Sequence, residues 1–212
     1  MIDIVQEDKI VQYVKSLCTN NSSGHDWYHI ERVCKLAKYI GEKEGADLDI
    51  VIASALLHDI GFSREMDSGV DHADESARMA EDFLEKIGFE ISKVDKVVYA
   101  IKFHRYGKKV KPNILEVKVL QDADRLDALG AIGIARAFAY GGARGAPMYN
   151  PMEDVEEYNP LNIKSTITHF QEKLLKIKEK LNTDTAREIG MKRHEFMEKF
   201  LEEFYAEMDC RK

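Results

Sequence analysis

IVIASALLHDIG, residues Ile50 to Gly61, reads as one buried helix that ends on two polar side chains. The run from Ile50 to Leu57 carries no charge, and Asp47 just before it is a residue type that caps helix N-termini. A helix that is apolar on most of its faces belongs inside a protein. His58 and Asp59 follow the apolar run directly and precede Gly61, so an imidazole and a carboxylate enter the interior together. A buried carboxylate without a partner costs several kcal/mol, and the pair therefore needs company from elsewhere in the chain.

That company is legible in the helical period. Residues 28–44 place Val33, Leu36, Ala37 and Ile40 on one face, and His29 lies four residues before Val33 on the same face. Residues 72–87 repeat Met79, Phe83 and Ile87, with His72 and Ser76 in that stripe and Gly88 as a stop. Ser92 followed by Asp95 resembles a capping box that opens a helix through Val97, Val98 and Ile101, with His104 at its inner edge. Residues 114–140 form a further periodic stretch interrupted at Gly130 and Gly133, in which Asp124 continues the row of Val117 and Leu120. Helices over 165–181 and 183–208 finish the chain. Leu115–Leu120 is the one candidate strand, and it fits a helix equally well. The expected fold is all-α, a single compact multi-helix domain over 1–212 with its C-terminal helices packed on it.

Five helices thus aim His29, His58 with Asp59, His72, His104 and Asp124 inward. Each alone reads as a hydrogen-bonded core residue. Together they match a divalent-cation site, because one ion satisfies imidazoles and carboxylates at once.

Composition bounds the partners. The 212 residues include 31 Lys+Arg against 38 Asp+Glu, a net charge of −7, with 44% hydrophobic residues. Such a chain lacks the global basic field of nonspecific nucleic-acid binders, so nucleic acid is not the expected partner. No apolar run approaches the roughly 18 residues of a spanning helix, so no membrane partner is expected. The opening MIDIVQEDKI is acidic where a secretory leader is basic, and Cys18, Cys34 and Cys210 form no CxxC pattern. These features read as a cytoplasmic protein with reduced thiols.

HDWYHIERV at 25–33, ALLHDIG at 55–61 and QDADRLDALGAIGIAR at 121–136 resemble the H…HD…D signature of the HD-domain metal-dependent phosphohydrolases, in an uncharacterised-hydrolase branch. The signature spans about residues 20–140. The resemblance implies a helical domain that holds one divalent ion (Mn, Fe, Ni, Co, Zn or Mg) through His29, His58, Asp59 and Asp124. Some members carry two further histidines and a second metal, and His72 and His104 occupy those positions here. Arg105 follows His104 where such members often have another His, so direct phosphate contact is the alternative role for the two histidines.

The implied activity is hydrolysis of a phosphate ester or phosphoanhydride of a small phosphorylated substrate, a nucleotide first, by a metal-activated water. Asp59 or Asp127 would orient that water or take its proton. Arg32, Lys102, Arg105, Arg125 and Arg144 are the candidate substrate-binding cations. Lys108, Lys109 and Lys111 read as a solvated extension of the same basic cluster. Residues 141–163, rich in Gly and Pro, read as a loop with Arg144 as a phosphate contact and Tyr149 as a base-stacking residue. Asp26 beside His25 reads as a helix cap, and His169 and His194 as surface residues on peripheral helices. The C-terminal stripe of Ile189, Phe196, Phe200, Leu201 and Phe204 serves either packing within the domain or a homodimer. Two other readings stand beside the leading one. One is a cyclic (di)nucleotide phosphodiesterase with a two-metal site, which lacks the Gly-Tyr-Pro triplet expected after the signature. The other is a non-catalytic nucleotide-binding regulatory domain.

Overall fold

The computed structural model describes residues 4–18, 26–64, 70–105, 112–159 and 164–211. His25, Lys108, Lys109, Lys111 and the last part of the 141–163 loop lie outside these residues. The described residues are all-α, with no strand among them. They fall into two compact units, the first ending at Asp124 and the second beginning at Arg125.

The first unit carries α1 (Ile4–Leu17), α2 (Trp27–Glu44), α3 (Leu48–Leu57), α4 (His72–Lys86), α5 (Ile91–Phe103) and most of α6 (Leu115–Asp127). α3 is its axis, buried at every residue from Asp49 to Leu57 as its composition requires. Ile10 and Val14 of α1, Ile30 of α2, Ala80 and Leu84 of α4, and Val97 and Ile101 of α5 join the apolar core around it. α1 adds to the expected helices: Ile10, Val14 and Leu17 are spaced four and three apart on one face, and Ile10 and Val14 are fully buried. Local capping sets the entry of each helix. Asp26 accepts from the His29 backbone N–H, Asp47 from that of Asp49, and Asp71 from those of Ala73 and Asp74. α5 differs from the expected capping box: Glu90 is its N-cap without a side-chain cap bond, and the Ser92 hydroxyl turns to the Glu90 carboxylate.

The second unit holds the end of α6, then α7 (Gly130–Ala143), α8 (Thr166–Glu172), a 3-10 helix (Leu174–Lys180) and α9 (Asp184–Met208). The periodic stretch 114–140 is two helices, because Gly130 takes φ +73°, a left-handed backbone that ends one helix and starts the next. The expected helix over 165–181 is likewise divided, with a short α-helix passing at Lys173 into the 3-10 turn.

Candidate metal centre

α2, α3, α4, α5 and α6 each deliver their chemistry to one place in the first unit. His29 sits in the first turn of α2, held by the Asp26 cap, and is fully buried. His58 ends α3 with its Nδ1 donating to the Ala55 carbonyl at 2.8 Å. His104 ends α5 in the same way, Nδ1 donating to the Ile101 carbonyl at 2.6 Å. Because a carbonyl can only accept, each of these rings must carry hydrogen on Nδ1, which turns the Nε2 face to the cluster.

The Asp59 carboxylate lies between two pairs of imidazoles. Its Oδ2 is 3.4 Å from His58 Nε2 and 3.5 Å from His29 Nε2. Its Oδ1 is 3.5 Å from His72 Nε2 and 3.6 Å from His104 Nε2. Asp124 Oδ1 joins the first pair at 3.6 Å from His29 Nε2, and its side chain keeps 27% exposure where the histidines have almost none. His29, His58 and Asp59 form one group compact enough for an ion, and Asp59, His72 and His104 form another. The donor set, imidazole nitrogen with carboxylate oxygen, suits first-row divalent metals.

The electrostatics are those of a site short of positive charge. Burial works against charging His58, but the charge and hydrogen bond of Asp59, with Asp124 and the Ala55 carbonyl, raise the imidazole to about 9. Burial works to raise the Asp124 carboxyl, but the charges of His29, His58 and His104 hold it below the usual carboxylate range. Carboxylates that favour protonated imidazoles here would favour a cation in the same place.

Gly61 closes the turn after the His58–Asp59 pair. Its backbone N–H donates to Ser76 Oγ at 2.8 Å. A Cβ there would meet the Ser76 nitrogen at 2.7 Å and the His72 carbonyl at 2.9 Å, so only glycine lets this turn lie against the start of α4.

The other sequence candidates are distributed more widely. Arg32 is half-buried on α2, one turn beyond His29. Lys102 is exposed on α5, 3.8 Å from Asp74. Arg105 Nη1 donates to Asp71 Oδ2 at 3.2 Å. In the second unit, buried Arg125 donates to the Lys180 carbonyl at 2.6 Å, and buried Asp127 accepts from Arg136 at 2.8 Å. Arg144 is exposed, with its guanidinium 5.1 Å from the Tyr140 ring centre. Tyr149 packs edge-on against Phe204 and Tyr205. His194 is 3% exposed and not a surface residue, with Lys178 Nζ 2.7 Å and Glu198 Oε1 3.1 Å from its Nε2. Its burial follows from the stripe it shares with Gly190, Met197 and Leu201. His169, also read as a surface residue, is half-buried and is pushed down to about 4 by burial and by Lys173. Gln121 and Asp71, which bond to the Phe103 carbonyl and to Arg105 beside His104, have no role in the sequence reading. An Asp directly before a helical stripe is the available signal for Asp71, and for Gln121 it is the inward row it shares with Val117 and Asp124.

A helical protein whose buried imidazoles and carboxylates converge on one carboxylate belongs to a recognisable class. The HD domain model matches residues 26–129. The chain is 42% identical over 207 residues to YpgQ of Bacillus subtilis, across 95% of this chain and 93% of that one. The crystal structure of YpgQ in complex with ADP matches with a TM-score of 0.75 at 40% identity, covering 95% of this chain and 97% of that one. A Lactobacillus plantarum structure matches with a TM-score of 0.83 at 32% identity over 99% and 100% of the two chains. A Bacillus thuringiensis HD-superfamily hydrolase matches with a TM-score of 0.76 at 39% identity over 97% of each. The chain belongs to the HD-domain superfamily, with the fold of its hydrolases and a His/Asp group that can hold a metal.

Proposed function

We propose that this protein is a divalent-metal-dependent phosphohydrolase that cleaves a phosphate ester or phosphoanhydride of a nucleotide. The observation that carries the reading is Asp59, whose two oxygens each face two Nε2 atoms, one pair on each side. The ADP bound to YpgQ supports a nucleotide as the substrate class. His29, His58, Asp59 and Asp124 would hold the first ion, one of Mn, Fe, Ni, Co, Zn or Mg. When bound, such an ion supplies Lewis acidity to a phosphoryl oxygen and lowers the pKa of its water towards about 7.

The chain's own groups do the rest. Ala55 and Ile101 fix the ring orientation of His58 and His104 through their carbonyls. Asp124 is the exposed edge of the cluster and the side from which water and a phosphate reach it. Arg32, half-buried one turn beyond His29 on α2, is the cation for the phosphate. Asp59 accepts the proton of the attacking water, being the carboxylate common to both imidazole pairs. Asp127, the other carboxylate the sequence offers for this proton, is ion-paired with Arg136 at 2.8 Å, which favours Asp59 for the role.

A second reading, a phosphodiesterase with two ions, is favoured by His72 and His104 at Asp59 Oδ1. Both are tested by one experiment. Metal-stripped protein is supplied with Mn, Ni, Co or Mg and a panel of nucleoside mono-, di- and triphosphates and cyclic dinucleotides, with Asp59→Ala as control. Metal-dependent release of pyrophosphate or phosphate that disappears in the control supports the first reading, and opening of the cyclic compounds supports the second. Turnover that survives in Asp59→Ala sinks both.

A further inference from the structure

The three residues Phe103, His104 and Arg105 are fastened on both sides of the histidine. Before it, the Phe103 carbonyl accepts from Gln121 Nε2 at 2.8 Å, and Gln121 is 1% exposed. Gln121 lies on α6 one turn before Asp124, so the helix that supplies Asp124 also grips the end of α5. After the histidine, Arg105 Nη1 donates to Asp71 Oδ2 at 3.2 Å. Asp71 uses its other oxygen to cap α4, accepting from the Ala73 N–H at 2.9 Å, and the first residue of α4 is His72.

We infer that Gln121 and the Arg105–Asp71 pair are positioning residues for His104 and His72, setting the spacing of the two imidazoles at Asp59 Oδ1. Arg105 in this role acts through Asp71 and not on a phosphate. The inference rests on the reading above that His72, His104 and Asp59 hold a second ion. The physical reason for the device is that α4 and α5 reach the site only by their ends. His104 follows the last turn of α5 and His72 opens α4, and helix ends hold side chains less firmly than helix interiors unless they are tied. Partners that orient metal-ligating histidines from behind set metal affinity without touching the ion.

Direct titration of metal-free protein with Mn2+ tests this without turnover. Asp71→Ser keeps an N-cap side chain for α4 and removes the carboxylate that faces Arg105. Arg105→Gln removes the charge, Arg105→Lys retains it, and Gln121→Met removes the buried donor at similar volume. Wild type is expected to take two ions per chain. In Asp71→Ser, Arg105→Gln and their double variant the first ion binds as in wild type. The second weakens about three- to tenfold in all three, since a half-exposed pair is a modest contact. Gln121→Met weakens the second ion by a similar or larger factor, and Arg105→Lys recovers part of the loss. Arg105→Gln and Asp71→Ser that both bind two ions like wild type overturn the inference. So does an Arg105→Gln defect confined to nucleotide KM with Asp71→Ser unaffected, which marks Arg105 as a phosphate contact. A wild type that takes one ion only overturns the two-ion reading itself.

Discussion

Nε2 of His29 and Nε2 of His58 face each other across 3.4 Å in a fully buried space. The His58 ring donates from Nδ1 to the Ala55 carbonyl, so a neutral His58 would present a lone pair here. A proton or a cation is what lets two such nitrogens approach, and Asp59 Oδ2 beside both favours either.

Proton and metal therefore compete for one place. With His58 raised to about 9, the metal-free protein holds this proton at neutral pH, and loading an ion must release it. Metal affinity is expected to rise with pH up to about 9 and to level off above it. Calorimetric titration with Mn2+ at pH 7 in buffers of different ionisation enthalpy checks this. A binding enthalpy that does not change with buffer contradicts it.

Loading should also stabilise the fold. An ion that binds only the folded chain adds about 2.7 kcal/mol at a concentration one hundred times its Kd. The melting temperature is expected to rise with added Mn2+ in wild type and to stay fixed in Asp59→Ala. His72→Gln should retain the part of the rise that comes from His29, His58, Asp59 and Asp124.

Gly61→Ala should be costly for its size. The new methyl would press on the Ser76 nitrogen and the His72 carbonyl, which are backbone atoms and cannot swing aside. We expect a loss of about 1–3 kcal/mol in denaturant unfolding, with weaker metal binding because α4 carries His72. Unchanged stability would show that the turn moves freely, contrary to this account.

Arg125, which the sequence offers as a phosphate contact beside Asp124, is buried and spent on the Lys180 carbonyl. Arg125→Met should lower stability by about 1–3 kcal/mol, the cost of stranding a buried acceptor. Nucleotide KM should be unaffected. A large rise in KM at wild-type stability would return Arg125 to the substrate.

His169 predicts a pH dependence in the other half of the chain. Burial, then Lys173, pushes it down to about 4, whereas in the unfolded chain it titrates near 6.5. Between those values the unfolded chain binds a proton that the folded one refuses, so stability falls as pH drops from 6.5 towards 4. The contribution is at most about 3 kcal/mol. His169→Gln should flatten that part of the stability profile, which chemical denaturation at a series of pH values measures.

The residues that make the centre were legible from the order of the chain, because each depends on local periodicity. His29 shares a stripe with Val33 and Ala37, His72 shares one with Ser76 and Met79, and the His58–Asp59 pair ends a run apolar on all sides. Period and burial are properties of a single helix, and a single helix is written in contiguous sequence. Which carboxylate oxygen faces which imidazole, the use of Arg105 and Arg125 for Asp71 and the Lys180 carbonyl, and the grip of Gln121 on Phe103 were decided elsewhere. Each is a contact between residues far apart in the chain, and cationic side chains long enough to serve a phosphate are also long enough to serve a carbonyl. Their choice follows from what packing brings within about 3 Å, a distance that spacing along one helix does not encode.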